Sequence, residues 1–388
     1  MNYHARSFIK KGYVVDLCGY LEEGKTSDLE GFDEDLTIRE IPIVRNTMGL
    51  PFVVFALWKV VAQILGLVYL LWDLRCSNYI MIQNPPSIPI LLISICFKYL
   101  FGSKIIIDWH NLNYSILAIK LGDKHLLVTI CKMYEKHLGR FADINLTVTK
   151  AMKKYLVQEF TIQKKRIIVL YDKANNSFSP LTTEHNKKQM LLELSEKYPK
   201  LYEGLKSDEK IIVSSTSFTP DEDFNILLKA LKQYEQSTDC KIPLRVIITG
   251  KGPQQSEFLL KVAALKLQKV SIHNAWLEFE DYPKVLSIAD LGISLHTSSS
   301  GLDLPMKIVD MFGCGIPVIS LDFPAIGELV EDGKNGIIVD GSQMMFDKLR
   351  FLIEDSNALS KLRLGANEKS LERWDDNWDQ NLGKVMPN

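Results

Sequence analysis

The sequence contains no CxxC pair, no surplus of one charge, no low-complexity tract and no internal repeat. Its six cysteines (Cys18, Cys76, Cys96, Cys131, Cys240, Cys314) are scattered. That spacing argues against a structural zinc site, a redox motif or a disulfide framework, and for reduced thiols in a cytosolic setting. A net charge of −1 gives no global field to recruit nucleic acid. Met1 opens directly into polar MNYHARSFIKKGY, without the apolar core of a secretory signal. With 46% hydrophobic and 24% charged residues, the chain is neither disordered nor collagenous, and 388 residues suggest two domains at about 150 each.

The near-zero net charge hides an asymmetry. Residues 1–176 carry 22 Lys/Arg against 16 Asp/Glu, whereas the remainder carries 24 against 31. A basic first half suits an anionic partner such as a lipid headgroup layer or a phosphate-bearing substrate; a chance asymmetry between domains is the bland alternative. Apolar residues concentrate in Phe52–Trp72, where Lys59 and Gln63 are the strongly polar exceptions. As a helix this stretch is about 31 Å long, enough to cross a hydrocarbon core. Lys59, Gln63 and Gly66 fall on one narrow edge, however, which favours a helix lying in a membrane interface or packed on a sheet. A second apolar run, Ile88–Phe101, contains Lys98 and is too short to span comfortably.

Short β-branched runs alternate with helical stretches in both halves, as buried parallel strands do. The first half offers Tyr13–Leu17, Ile41–Val44, Tyr79–Gln83, Lys104–Asp108, Ile144–Thr147 and Ile167–Tyr171. The second offers Ile211–Ser214, Arg245–Thr249, Val270–His273, Leu291–Leu295, Pro317–Ser320 and Gly336–Val339. Two open α/β domains follow, with ligands expected at the carboxyl ends of their strands. The expected division is an N-terminal domain over 1–175, a linker or insertion over 176–210 and a C-terminal domain over 211–370. Residues 371–388 are expected to return to the N-terminal domain.

Chemistry-bearing residues are densest in the second half. ITGKGP puts Gly250, Lys251 and Gly252 just after a strand, where glycine admits backbone N–H groups to a phosphate or ribose, or simply satisfies a tight turn. From His296, the run HTSSSGLDLPMKIVDMFGCGIPVIS leads from a strand through a Ser/Gly loop into a helix. Ser298, Ser299, Ser300 and Gly301 offer hydroxyl and N–H groups at a helix start. Lys307 sits in the first helical turn, able to neutralise a diphosphate, and Asp310 lies one turn on, placed to hold a ribose diol. Asp221-Glu222-Asp223 precedes a helix and reads as a cap rather than a metal-binding DxD.

These motifs resemble the group 1 glycosyltransferases of GT-B fold, two Rossmann-like domains with parallel sheets facing across a cleft. More narrowly, SSTSFTPDEDFNILLKAL, ITGKGP, WLEFEDYP and LHTSSSGLDLPMKIVDMFGCG resemble the chitobiosyldiphosphodolichol β-mannosyltransferases. So do MNYHARS, IQNPPSIP, IIIDWHNLNYSI, YEKHLGRFADINLTVTKAM and VLYDK. The resemblance implies transfer of mannose from GDP-mannose to the chitobiose of a dolichyl diphosphate, in a β1,4 linkage, at the cytosolic face of the endoplasmic reticulum membrane. With the acidic run read as a cap, no required metal or other cofactor is expected, and a complex with other lipid-linked oligosaccharide transferases is a further expected partnership. A second lipid-linked GT-B sugar transferase, or an inactive scaffold paralogue, is the alternative.

Carried onto this sequence, the resemblance assigns donor binding to Ser215, Thr216, Gly250, Lys251, Gly252, Trp276, Ser298–Gly301, Asp303, Lys307 and Asp310. Two departures stand out. Asp310 fills the second position of the family's Glu-x7-Glu pair, but Leu302 stands at the first, with Asp303 one residue out of register. The usual basic phosphate ligand after the domain's first strand is replaced by Thr216-Ser217 and the acidic run, leaving Lys307 and Lys251 as the nearby cations. The family also has an anchor, a strand and a Gly-rich loop ahead of the helix that MNYHARSFIKKG resembles, so a shortened gene model or expression form is expected.

A β product from an α-linked donor requires inversion, hence one displacement and one general base. IIIDWHN supplies His110, whose imidazole titrates near neutrality, and Asp108, either the base itself or its orienting partner. Asn84, Asn111 and Tyr114 are the candidates for the acceptor subsite. Trp276 is a candidate platform for guanine.

Overall fold

The computed structural model describes the chain except residues 21–28, 30, 33, 43–48, 50, 220, 221 and 388, and the side chains of residues 52–54, 56 and 57. It divides into two compact units, Met1–Tyr171 with Asp375–Asn388, and Asp172–Trp374.

In the first unit, β1 (Val15–Gly19) and β2 (Leu36–Glu40) form a two-stranded parallel sheet. A second parallel sheet has the order β3 (Tyr79–Asn84), β4 (Lys104–Trp109), β5 (Ile144–Thr147) and β6 (Ile167–Val169). Ile105, Ile106 and Ile107 are consecutive and fully buried, so both faces of β4 are covered, which explains its uninterrupted apolar run. The expected strand at Ile41–Val44 lies partly outside the described residues, and the strand preceding it is Leu36–Glu40. In β2 only Leu36 is buried, so LTIRE lacks the apolar run that marks its neighbours.

The second unit carries one six-stranded parallel sheet. Its strands are β7 (Lys210–Ser215), β8 (Leu244–Thr249), β9 (Val270–Ala275), β10 (Leu291–Ser294), β11 (Val318–Leu321) and β12 (Gly336–Val339). The order β12-β11-β10-β7-β8-β9 sends the chain outward from β7 in one direction and back on its other side. The reversal falls between β7 and β10, and a doubly wound sheet binds ligands outside the carboxyl ends of such a pair. The helix Phe224–Gln236, capped by the Asp223 carboxylate, lays Leu227, Leu231 and Tyr234 on the sheet against Ile212, Val246 and Ile248.

The segment read from sequence as a linker belongs to this unit. Its helix Glu184–Lys197 is tied down by Lys187 on Asp290 at 3.0 Å, and Arg245 on β8 donates to the Leu201 carbonyl at 2.9 Å. At the chain's end, Trp378 is fully buried in the first unit, edge-on to Phe8 at 5.1 Å.

Candidate functional site

At the reversal point of the second unit, the loop after β7 meets the helix Met306–Gly313 through one buried acid. The Glu222 carboxylate accepts from Thr216 Oγ1 at 2.5 Å and from the Ser217 N–H at 3.2 Å, and it pairs with the Lys307 ammonium. Lys307 is therefore anchored at the reversal point by Glu222, and an ammonium carries three N–H donors in all. The acidic run thus divides its work. Asp223 caps the following helix, Glu222 turns inward, and Asp221 lies outside the described residues.

Gly250 and Gly252 are required by close packing on the loop after β7. A Cβ on Gly250 would stand 1.8 Å from the Thr216 carbonyl oxygen, and one on Gly252 would stand 1.7 Å from that of Ser217. Gly250 also has φ +131°, a conformation that side chains rarely adopt. Of the two readings left open by sequence, the steric one describes this geometry. Gly250→Ala is expected to destabilise the second unit by about 3 kcal/mol or more, through overpacking plus backbone strain, checked by denaturant unfolding. Between these glycines, Lys251 stacks over the Trp276 ring at 4.2 Å. Trp276 is 63% exposed, so it is a surface aromatic platform and no part of the core.

The serine loop is closed on itself. Asp303 Oδ1 accepts from the hydroxyls of Ser298 and Ser300, Gly301 N–H donates to Ser298 Oγ at 2.8 Å, and Leu302 N–H donates to Ser300 Oγ at 3.2 Å. Asp303 Oδ2 lies 3.8 Å from His296 Nε2. These N–H groups and hydroxyls are engaged within the loop. The helix that follows starts at Met306 behind Pro305 with no side-chain cap.

Ser215 lies at the end of β7, where its hydroxyl meets Thr249 Oγ1 at 3.0 Å and Tyr282 OH at 2.9 Å. Asp310 completes the cluster. Burial, reinforced by the charge of Asp172, pushes its carboxyl up to about 7, and Asp310 in turn helps to raise Tyr282. A buried carboxyl raised toward neutrality near the carboxyl end of a doubly wound sheet makes Asp310 a candidate functional residue.

The first unit gathers a different set at the ends of β3 and β4. Asp108 is buried, and its Oδ2 accepts from His110 Nε2 at 2.8 Å and lies 3.3 Å from His4 Nε2. Burial opposes its ionisation, but the charge and hydrogen bond of His110, joined by those of His4, outweigh that and hold the carboxyl below its ordinary range. His4 has a defined tautomer. Trp378 Nε1, a donor only, points at His4 Nδ1 at 3.2 Å, so the proton of His4 resides on Nε2, facing Asp108.

Asn84 is fully buried and donates to the Asn111 carbonyl at 3.1 Å and to Glu135 Oε1 at 2.8 Å. Glu135 also accepts from the N–H groups of Asn113 and Tyr114, capping the helix Asn113–Leu121. Asn84 thus supports the loop after β4 from inside. His110, Asn111 and Tyr114 lie together on that loop and helix start. Asn111 Oδ1 accepts from the Leu112 N–H at 2.7 Å, and Tyr114 shares its hydroxyl with Tyr155 at 2.5 Å under Lys132.

Comparison with known proteins decides the family. The model of glycosyl transferases group 1 matches residues 202–370. The chain is 51% identical to chitobiosyldiphosphodolichol beta-mannosyltransferase of Candida albicans, covering 100% of this chain and 85% of that protein. It is 35% identical to the protein of that name from Mus musculus, over 98% of this chain and 85% of the relative. The chain belongs to the chitobiosyldiphosphodolichol beta-mannosyltransferase family. Its fold is GT-B, shared with Anabaena Alr3699/HepE solved with UDP and glucose (TM-score 0.71, 16% identity, 99% of this chain and 95% of that one). Sucrose-phosphate synthase from Thermosynechococcus elongatus shares it too (TM-score 0.71, 14% identity, 98% and 90%).

Within this β-mannosyltransferase family member, the sequence left three partners without a role, His4, Glu135 and Trp378, and Glu222 read only as part of a helix cap. MNYHARS contributed to the resemblance, but nothing local ties His4 to Asp108, since the two meet only when the first helix docks. Glu222 had a weak signal in its neighbour Asp223. An acid one residue ahead of a cap points elsewhere, and here it finds a lysine.

Proposed function

We propose that this chain transfers mannose from GDP-mannose to a dolichyl-diphosphate-linked chitobiose with inversion, forming the β1,4 linkage, on the cytosolic face of the endoplasmic reticulum membrane. The observation that carries the reading is the Asp108–His110 pair. An ionised, buried carboxylate is a poor base but a strong orienting partner, so His110 takes the proton from the acceptor hydroxyl while Asp108 fixes the ring and stabilises the imidazolium formed. With Nε2 held by Asp108, proton exchange with the acceptor is assigned to Nδ1.

On the donor side, Lys307, held by Glu222, neutralises the departing diphosphate together with the first N–H groups of its helix. Asp310 accepts from the ribose diol, and Trp276 with Lys251 offers a stacking face to guanine. With that positive charge in place the reaction is read as metal-independent, so EDTA is expected to leave turnover unchanged.

Incubation of the purified chain with labelled GDP-mannose and a short-chain lipid-diphosphate chitobiose tests the reading. A product sensitive to β-mannosidase, with inhibition by GDP and none by UDP, is expected. Transfer from a UDP-sugar, or binding of neither nucleotide, would overturn it.

A further inference from the structure

The first unit brings a second imidazole against the Asp108–His110 pair. His4, on the helix Asn2–Lys10, is buried, as is Asp108. Its Nε2 lies 3.3 Å from Asp108 Oδ2, the same oxygen that His110 Nε2 meets at 2.8 Å. That oxygen is held from two directions, by a ring whose side chain is 30% exposed and by a ring shut away from water. A hydrogen bond to an ionised carboxylate favours the ionised form and draws its charge toward the donor. What His4 does here depends on the place of its own proton. On Nε2 the proton donates to Asp108; on Nδ1 it would leave two lone pairs, of Nε2 and Oδ2, facing each other in a buried place. The indole of Trp378 fixes the choice, because Nε1–H can only donate and it points at His4 Nδ1 at 3.2 Å.

Trp378 is in turn placed by the spacing of the first helix. His4 and Phe8 stand four residues apart and share a face, His4 bonded to the indole and Phe8 edge-on to it at 5.1 Å. Arg6 and Lys10, also four apart, both pair with Asp375, three residues ahead of Trp378. The end of the chain thus fixes the depth and the rotation of the helix that carries His4. We propose that His4 is a positioning residue for the Asp108–His110 pair, holding the carboxylate in line with the base, and that Trp378 supports it by keeping the His4 proton on Nε2. The inference rests on the reading of His110 as the base. Without the His4 donor, the carboxylate's charge falls on the His110 imidazolium alone and stabilises it further, so the His110 limb of the rate profile moves to higher pH. The carboxylate also gains freedom to rotate and the ring it orients moves with it, which lowers kcat and leaves KM for GDP-mannose unchanged.

Kinetics across pH and NMR of the full chain labelled with nitrogen-15 in its histidines test it, with resonances assigned from the spectra of the histidine variants. In the wild type at mildly alkaline pH, His4 is expected to show the Nε2–H tautomer. His4→Leu keeps side-chain bulk and loses the donor. It is expected to lower kcat about tenfold or more, to hold KM for GDP-mannose within about twofold, and to move the His110 titration up by about half a pH unit or more. His4→Gln, whose amide N–H can take the place of Nε2–H, should recover most of kcat and return the titration toward wild type. Trp378→Phe keeps an aromatic ring and loses the N–H, so it should lower kcat about threefold and let His4 populate the Nδ1–H tautomer. A wild-type His4 found as the Nδ1–H tautomer would overturn the proposal. So would a His110 titration unmoved in His4→Leu, or equal losses of kcat in His4→Leu and His4→Gln, since the ring then acts by packing. The wild-type tautomer and its response to Trp378→Phe decide the proposal even where His4→Leu does not fold, and an unchanged tautomer in Trp378→Phe overturns the role of the indole. Because the NMR titration needs no substrate, the two readings fail separately. A wild type that transfers no mannose refutes the proposed function, while a His110 titration that moves in His4→Leu still supports the coupling.

Discussion

His110→Ala is expected to lower mannosyl transfer by about 10²–10⁴-fold while leaving GDP affinity and melting temperature close to wild type. The imidazole is part-exposed and hydrogen-bonds Asp108, so truncation removes the proton acceptor at little packing cost. Rate assays across pH add a readout that a structural role would not move, because the limb of the profile belonging to the base disappears in the variant. Asp108→Asn is expected to lose activity to a similar degree for a different reason. Its charge supports the imidazolium in the transition state, and its buried oxygen also receives His4. The Asn variant should therefore lose stability as well, by about 1–3 kcal/mol, because a neutral amide oxygen gives up the charge assistance of both hydrogen bonds and the buried amide N–H groups need acceptors of their own. Full turnover by His110→Ala would dismiss the base assignment, and a stable, active Asp108→Asn would dismiss the orienting one.

Asp310→Asn is expected to make the unliganded protein more stable above neutrality and much weaker for the donor. The folded state holds Asp310 near 7, above the ordinary carboxyl value, so the fold favours its protonated form. Stability from this group is complete below about pH 4 and is lost as pH rises through 7. Asn stays neutral throughout, so the advantage of the variant should be absent at pH 4, open between pH 4 and 7, and level off above 8. The limit is about 4 kcal/mol, from a displacement of roughly three pH units. Melting temperatures at matched pH values measure it. Nucleotide binding gives the opposite sign. Ribose hydroxyls donate to the ionised carboxylate, so binding near pH 7 should release a proton, seen as a dependence of calorimetric enthalpy on buffer ionisation. Losing that carboxylate costs about 1.5–3 kcal/mol of donor affinity, or about 10–100-fold. A variant with wild-type affinity and no stability change would remove Asp310 from the donor site.

Much of this was legible in the sequence because the signals are local. Parallel strands buried on both faces read as unbroken β-branched runs, and Ile105–Ile107 and Leu244–Thr249 are such runs. Asp108 and His110 could be paired on paper because they stand two residues apart at a strand end. Gly250 and Gly252 marked a tight turn, although only coordinates show Thr216 and Ser217 as the backbone they accommodate. Residues 176–210 read as a linker because a charged helix carries no label for its destination, and Lys187 and Leu201 place it on the second unit.

By itself, then, the sequence determined two open α/β halves, a family resemblance and the side chains available for an inverting transfer. Tertiary structure alone decided how those side chains are spent. It set Lys307 against Glu222, turned Asp303 into its own loop, buried Asn84 under the acceptor candidates and joined His4 to Asp108 with its tautomer held by Trp378. Periodicity and spacing record which groups lie near one another along the chain. The charge state, orientation and freedom of an ionisable group depend on burial and on partners within about 4 Å, and those partners are brought by segments far away in the sequence.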